Sequence, residues 1–308
     1  MKPKLLVLGP NPAWQKVLHF PQFCCGEVNR AASMLEFASG KGINFCRAAG
    51  ISGRTEAILL QAAGGENGRR LTEYLEREKM TVRTVPAGPT RCCVSCCGPD
   101  GNCTEIIEPS AALTPEEASS LLRMFDGLLA GAEMAAFCGS LPDGSDPVFY
   151  RHCADLAAAG NVTLFLDTVK DLPELLDRSR RSVVKINRSE LARVTGEKTV
   201  QTGLKRLLEY ESLCFAAITD GPGRAYAATC DAQWEYDLPA LKSILSPIGC
   251  GDTCGAVTAS ELLAGAAPEE AFLTGLAAAS ANCLTPVYGH YKVEDADMIR
   301  RDIRMRKV

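Results

Sequence analysis

Short apolar runs alternate along most of the chain with stretches whose apolar residues recur every three or four positions. The runs Leu5–Leu8, Ala57–Leu60, Met134–Cys138, Thr163–Asp167, Val183–Ile186 and Phe215–Thr219 are apolar at their centres without strict alternation. That is the pattern of strands buried on both faces. Helical stretches fall between them. One opens at Thr114-Pro115-Glu116-Glu117, with a capping threonine, a proline in the first turn and a glutamate three residues after the cap. It continues through Leu121, Leu122, Phe125 and Leu128–Leu129, a single apolar face. Strand–helix alternation on this scale predicts an α/β fold, with a central, mostly parallel sheet flanked by helices on both sides.

Two segments break the rhythm. Residues from about 12 to 38 contain β-like pieces interrupted by polar residues, where a helix would otherwise stand. Residues from about 88 to 110 read as a hairpin, Arg91–Cys97 and Cys103–Ile107 around the turn Gly98-Pro99-Asp100-Gly101. Both excursions leave the main sheet and are expected to build a small β-sheet lid over its edge. With no linker, repeat or low-complexity run, residues 1–308 are expected to form a single domain carrying those lid segments.

Composition narrows the classes of function. At 46% hydrophobic and 23% charged residues, the chain has the balance of a folded protein and not of a disordered one. A formal net charge of −4 supplies no global basic field, so nucleic acid is not an expected partner. The basic tail Arg300–Lys307 reads as a solvated helix end, with an anionic partner as the other reading. The apolar stretch Leu5–Leu8 is too short for a signal-peptide core, and no stretch approaches a membrane span. A cytoplasmic location follows as an expectation, and with it reduced thiols at the fifteen cysteines. The cluster Cys92, Cys93, Cys96, Cys97 and Cys103 reads as apolar-like residues on a β ribbon, since no histidine stands at ligand spacing from it.

The candidate chemistry lies in glycine-containing segments at helix starts. Neither G-x-x-x-x-G-K-[ST] nor a strand-to-helix G-x-G-x-x-G is present, and no G-x-S-x-G marks a hydrolase. Ile248-Gly249-Cys250-Gly251-Asp252-Thr253 precedes an apolar helix reaching about Leu263. Backbone N–H groups of Gly249, Cys250 and Gly251 at the positive helix end would cradle a phosphoryl group, with Asp252 placed to take a proton. The plainer reading makes Asp252 a helix cap. Ser39-Gly40-Lys41-Gly42-Ile43-Asn44 opens another helix, where Lys41 is either a charge for phosphate or a loop lysine. In Lys185-Ile186-Asn187-Arg188-Ser189-Glu190, Asn187 and Glu190 either hold a hydrated Mg²⁺ or form a helix-start pair. These segments stand at strand carboxyl ends or helix starts, where open α/β sheets bind ligands.

In chain order, these segments resemble the ribokinase-like (phosphofructokinase-B) family of sugar kinases. The resemblance runs from Asn11-Pro12-Ala13 through Gly26–Arg30, Gly40–Asn44, Thr90-Arg91, Thr104–Pro109, Cys138–Pro142, Leu166–Thr168 and Lys185–Asn187 with Glu190 to Gly249–Asp252. It implies ATP and Mg²⁺ as cofactors, and Asp252 as general base for in-line phosphoryl transfer. The early motifs are similar to those of 1-phosphofructokinase and tagatose-6-phosphate kinase. They imply a ketohexose phosphate as substrate (fructose 1-phosphate or tagatose 6-phosphate) with Arg30, Lys41 and Arg91 around its phosphate. Asn11, Gln15, Gly40, Asn44 and Glu108 complete the substrate set implied by the resemblance. Thr219, Gly221, Arg224 and Asn187 are implied near the nucleotide phosphates. Asn282 is implied near the adenine, unless it is only a polar residue at a helix end. A homodimer paired through the lid is implied as well.

The chain departs from the family pattern at three places. Gln15 stands where the family carries a sugar-binding aspartate, next to the bulky Trp14. Thr219–Arg224 replaces a glycine-richer loop, leaving Arg224 either on a phosphate or in solvent. Ser246-Pro247 precedes the catalytic segment without a physical account. Two alternatives stay open: a kinase of an unphosphorylated sugar or nucleoside, and a non-catalytic regulator that binds sugar phosphate or nucleotide.

Overall fold

Leu5 and Val7 pack to one side of the central sheet, and Leu6 and Leu8 to the other. The first strand, β1 (Lys4–Leu8), is therefore buried on both faces, as its unbroken apolar run requires. The computed structural model describes residues 2–98, 103–168 and 170–308. The chain leaves β1 for β2 (Ala13–His19) and β3 (Ser33–Ser39), then α1 (Lys41–Ser52), β4 (Glu56–Ala63), α2 (Gly65–Arg77) and β5 (Val82–Pro86). β6 (Arg91–Cys97) and β7 (Cys103–Ile107) follow. Next come α3 (Pro115–Leu129), β8 (Met134–Cys138), α4 (Phe149–Ala159), β9 (Thr163–Asp167), α5 (Leu172–Arg178) and β10 (Ser182–Asn187). Then α6 (Arg188–Thr195), α7 (Val200–Leu207), β11 (Leu213–Asp220), β12 (Arg224–Ala228) and β13 (Gln233–Asp237). The chain closes with α8 (Cys250–Leu263), α9 (Pro268–Asn282), α10 (Val293–Asp302) and β14 (Arg304–Lys307).

Ten strands form the large sheet in the order β14-β13-β12-β11-β10-β9-β8-β1-β4-β5. From β11 to β5 neighbours run parallel, and β12, β13 and β14 extend the sheet antiparallel. One apolar layer packs under α1, α8 and α9 through Phe45, Val257 and Phe272. The other packs under α3 to α7 through Phe125, Tyr150, Leu175, Leu191 and Leu207. The expected α/β architecture is the one observed. α3 begins with the capping box read from Thr114 and Glu117, worth about 1 kcal/mol for such a cap.

β1 lies between β4 and β8, so chain order reverses there, and this is where a crevice opens at strand carboxyl ends. From that point β2, β3, β6 and β7 form a separate four-stranded sheet in the order β3-β2-β6-β7. These strands come from the two segments that break the sequence rhythm. The hairpin turn expected at Gly98–Gly101 lies largely outside the described residues, which omit 99–102.

Two expectations are corrected. Cys97 and Cys103 face each other in register across β6 and β7 and are joined as a disulfide, where reduced thiols were expected. Direct cross-strand pairing brings their sulfurs together, a contact that composition does not reveal. The basic tail is a helix end only at Arg300 and Arg301, in the last turn of α10, whereas Arg304–Lys307 pairs antiparallel with β13. Its cations are matched by a tertiary partner, with Arg306 against Glu235 and Asp237. Among the described residues, no helix is long and apolar enough to cross a membrane.

Candidate active site

The start of α8 is built around a backbone that only glycine adopts easily. Gly249 is the N-cap at φ 83°, and no side chain caps this helix. A Cβ there would lie 2.9 Å from the Gly289 backbone nitrogen and 3.0 Å from Tyr288 Cβ. Gly289, itself at φ 76°, leaves no room on its other side, since an added Cβ would fall 2.4 Å from the Asn44 carbonyl oxygen. Three segments distant in sequence therefore meet: the α8 turn, the loop after α9, and α1 at Asn44.

Asp252 is the third residue of α8, and it does not act as the cap. It is 7% exposed, and its Oδ2 accepts a hydrogen bond from Asn44 Nδ2 at 2.8 Å. Burial pushes its carboxyl up to about 6. The charge of Lys41 opposes that rise, Asp167 adds to it, and the Asn44 bond and Lys185 oppose it further. An acid titrating there is ionised at neutral pH yet basic enough to take a proton.

Asp167, at the carboxyl end of β9, sits between two lysines. Lys41 Nζ donates to its Oδ1 at 3.3 Å, and Lys185 Nζ forms an ion pair with Oδ2 at 3.7 Å. Burial alone would raise the Asp167 carboxyl, but Lys185 and then Lys41 outweigh it and hold it below the ordinary range. Asp167 in turn pushes Lys41 well above the usual lysine range, and it outweighs burial at Lys185. Lys185 lies against the α8 turn, 3.1 Å from where a Cβ on Gly251 would stand. Lys41 keeps a side chain 44% exposed, so one charge of this network opens to solvent.

The implied substrate residues divide. Asn11 and Arg91 line one small cleft with Pro12, Gly88, Thr90 and Ser110. The Arg91 Nε is buried without a hydrogen-bond partner. Gly40 caps α1 without a side chain and passes the chain from β3 to Lys41. Gln15 is outside that cleft, 3% exposed, with Nε2 donating to Ser95 Oγ at 3.0 Å and to the Lys16 carbonyl at 3.1 Å. Trp14 turns to the core with its ring under Arg70 and its Nε1 donating to Glu36 at 3.3 Å. Glu108 accepts from the Cys92 backbone N–H at 2.7 Å, and Arg30 stands exposed between β2 and β3.

Of the implied nucleotide residues, Asn187, Thr219, Gly221 and Arg224 lie at or just beyond the carboxyl ends of β10 and β11, whereas Asn282 ends α9. Asn187 and Glu190 form a full capping box on α6: Asn187 Oδ1 accepts from the Glu190 N–H at 2.9 Å, and Glu190 Oε2 accepts from the Asn187 N–H at 2.9 Å. Ser189 Oγ also donates to Asn187 Oδ1, so that oxygen is fully engaged. Direct metal ligation by Asn187 does not fit, whereas contact between Glu190 and a metal-bound water does. Thr219 is the half-buried penultimate residue of β11, and Gly221 turns the β11–β12 hairpin at φ 67°. Arg224 is exposed beside Asp237 at 3.7 Å. Asn282 is 1% exposed, with Nδ2 donating to the His290 carbonyl at 2.7 Å and Oδ1 buried without a partner.

Sequence reading assigned no role to Asp167, Lys185, Arg47 or Tyr288. The signal for the first two was present: a lysine inside Val183-Val184-Lys185-Ile186, and an aspartate closing Leu164-Phe165-Leu166. A charge in a strand buried on both faces needs a partner. Arg47, 5% exposed, donates to the Tyr288 carbonyl at 2.7 Å, to the Ala38 carbonyl at 2.8 Å and to Glu78. It thereby ties the loop after α9 to α1 and β3. A wider hollow of about 580 Å³ lies by Asp177, Arg206, Glu209 and Tyr210 at the strands' amino ends, remote from this network.

Comparison with known proteins bears on this geometry. A model of the pfkB family of carbohydrate kinases matches residues 12–289. Phosphofructokinase-2 from Escherichia coli, solved with substrates and products, is 23% identical over 97% of this chain and 99% of its own, with a TM-score of 0.87. The same enzyme with fructose-6-phosphate gives 23% identity over 98% and 99%, with a TM-score of 0.85. A protein described as a possible 1-phosphofructokinase from Thermotoga maritima is 21% identical over 99% of both chains, with a TM-score of 0.86.

Proposed function

The chain belongs to the pfkB family of carbohydrate kinases and is a sugar kinase; on that premise we propose that it transfers the γ-phosphoryl group of ATP to a ketohexose phosphate. Asp252 is the general base in this reading. The observation that carries it is the buried Asp252 carboxylate, raised to about 6 and held by Asn44 at the open glycine turn of α8.

The sugar hydroxyl loses its proton to Asp252 as its oxygen attacks, and Asn44 fixes which carboxylate oxygen faces it. Backbone N–H groups of Gly249, Cys250, Gly251 and Asp252 meet the charge developing on the transferred group. Lys41, partly open to solvent and held charged by its ion pair with Asp167, adds a cation there. Mg²⁺ supplies charge neutralisation on the nucleotide oxygens when bound, and Glu190 is the residue suited to hold one of its waters.

The unpartnered Nε of Arg91 supports a phosphate already on the sugar, since a buried guanidinium N–H without an acceptor suits an anion. Fructose 1-phosphate and tagatose 6-phosphate remain the leading substrates. Fructose 6-phosphate joins them because a structural relative binds it. The small sheet acts as a lid over the sugar, limiting wasteful ATP hydrolysis. Met34 and Ile106, exposed on its edge strands, suit a homodimer paired there.

Asp252→Asn tests the base. It keeps the Asn44 hydrogen bond but not the basicity, so kcat is expected to fall roughly 10²–10⁴-fold. Turnover close to the parent's would remove Asp252 from the mechanism.

A further inference from the structure

The phosphoryl-binding turn contains a thiol whose neighbour is another thiol. Cys250 is the first residue of α8, between Gly249 and Gly251, and Cys283 directly follows α9. Their sulfurs lie 3.1 Å apart although 33 residues separate them in sequence. Both are half-buried, whereas Cys46, Cys138, Cys153 and Cys254 are sealed in the core. The pair therefore stands nearer the surface than those four thiols.

The two thiols are not equivalent. Either sulfur can donate to the other; where Cys250 donates, the Cys283 thiol is drawn below its usual value, overcoming burial. Giving that bond, together with burial, pushes the Cys250 thiol up. Such a pair has one sulfur suited to attack and a second in place to resolve.

We propose that Cys250 and Cys283 form a thiol–disulfide exchange site, at which a small-molecule disulfide oxidises the pair and shuts down the α8 turn. The functional half of this proposal rests on the reading of that turn as the site of phosphoryl transfer. The Cys283 sulfur attacks one sulfur of the small disulfide, whose S–S bond breaks. The departing small thiolate takes the proton that Cys283 gives up. The Cys250 sulfur then attacks Cys283 in the mixed disulfide, and its own proton leaves with the second small thiol. Two protein thiols are oxidised to one disulfide, and one small disulfide is reduced to two thiols.

Closing the bond changes the turn. A disulfide holds its sulfurs about 2.05 Å apart, so the pair must approach by about 1 Å. Gly249 has no slack to absorb that movement, with Gly289 and Tyr288 filling the space beside it. On the other side, the Cys283 carbonyl accepts from the Leu245 N–H at 2.8 Å and from the Ser246 N–H at 3.3 Å. The segment leading into the turn is thus drawn along. A displacement of about 1 Å at catalytic groups costs up to about 10²-fold in rate.

The test treats the whole enzyme with oxidised glutathione, follows ADP release, and maps disulfide-linked peptides. We expect a loss of about 10- to 100-fold, reversed by dithiothreitol. A linked peptide pair carrying Cys250 and Cys283 should accompany it. Cys283→Ser should keep the untreated rate and resist glutathione disulfide; Cys283→Ala serves if the serine variant does not fold. Equal inactivation of the variant, or both thiols unlinked in the inactivated parent, would overturn the proposal. Peptide mapping reads the bond without any substrate. A wrong sugar-kinase mechanism would therefore leave the linked pair intact, whereas a wrong exchange site would leave none.

Discussion

At Asp252 the cost of burying a charge and the proposed role as base pull against each other. The folded protein holds this carboxyl at about 6, above an ordinary carboxylate, so its charged form opposes folding at neutral pH. That opposition is fully present above about pH 6 and fades as pH falls below it and the carboxyl protonates. Asp252→Asn should therefore melt at a higher temperature than the parent at neutral pH, with a gap that narrows towards pH 5. Thermal melts of both proteins across that range measure it; a variant less stable at neutral pH would contradict the assignment. The catalytic consequence has the opposite sense: kcat/KM should fall about tenfold per pH unit below about 6, where the base is lost. A rate flat to about pH 5 would leave the proton without its acceptor. Asp167 is the counterweight, held ionised by Lys185 and Lys41, and its charge helps to keep Asp252 basic.

Elements were legible where a single segment carried its own signal. The six apolar runs read as buried strands all fall within strands of the large sheet, and Thr114 begins α3 as its capping chemistry requires. β12 carries a short run, Ala225–Ala228, that small alanines make hard to tell from a helical stretch; β13 has none, and β14 is Arg-Met-Arg-Lys, paired with β13 through Glu235 and Asp237. The site divides in the same way. Gly249–Asp252, Gly40–Asn44 and Asn187–Glu190 were visible because each opens a helix, but how they meet depends on the loop after α9, which has no local signature. Gly289 is the hinge of that meeting, pressed between Gly249 and Asn44. Gly289→Ala should lower both melting temperature and kcat, because a Cβ there must displace Asn44 and with it the Asp252 hydrogen bond. Wild-type kinetics in that variant would show that the three-way contact does not position the base. A milder change at Gly196, which ends α6 in open space, should leave kcat alone.

Across the molecule, two sheets meet over one crevice, and a few side chains span the junction. Tyr288 reaches from the loop beside Gly249 into the small sheet, where its hydroxyl donates to Ser95 Oγ at 2.9 Å and its ring stands edge-on to Phe37. Arg47 ties that loop to β3 from below. Asp252 at the α8 turn and the strands carrying Arg91 and Gln15 are therefore parts of one packed unit. Gln15 is committed to Ser95 and carries no charge where the resemblance implied an aspartate. The cleft holding Asn11 and Arg91 is what a phosphorylated sugar would use instead. The central claim is tested most directly by coupled ADP release with Mg-ATP against fructose 1-phosphate, fructose 6-phosphate and tagatose 6-phosphate, alongside fructose, ribose and adenosine. Turnover confined to the phosphorylated ketohexoses, with a KM that Arg91→Ala raises, is the predicted result. Turnover only on the free sugars or the nucleoside, indifferent to Arg91, would contradict it.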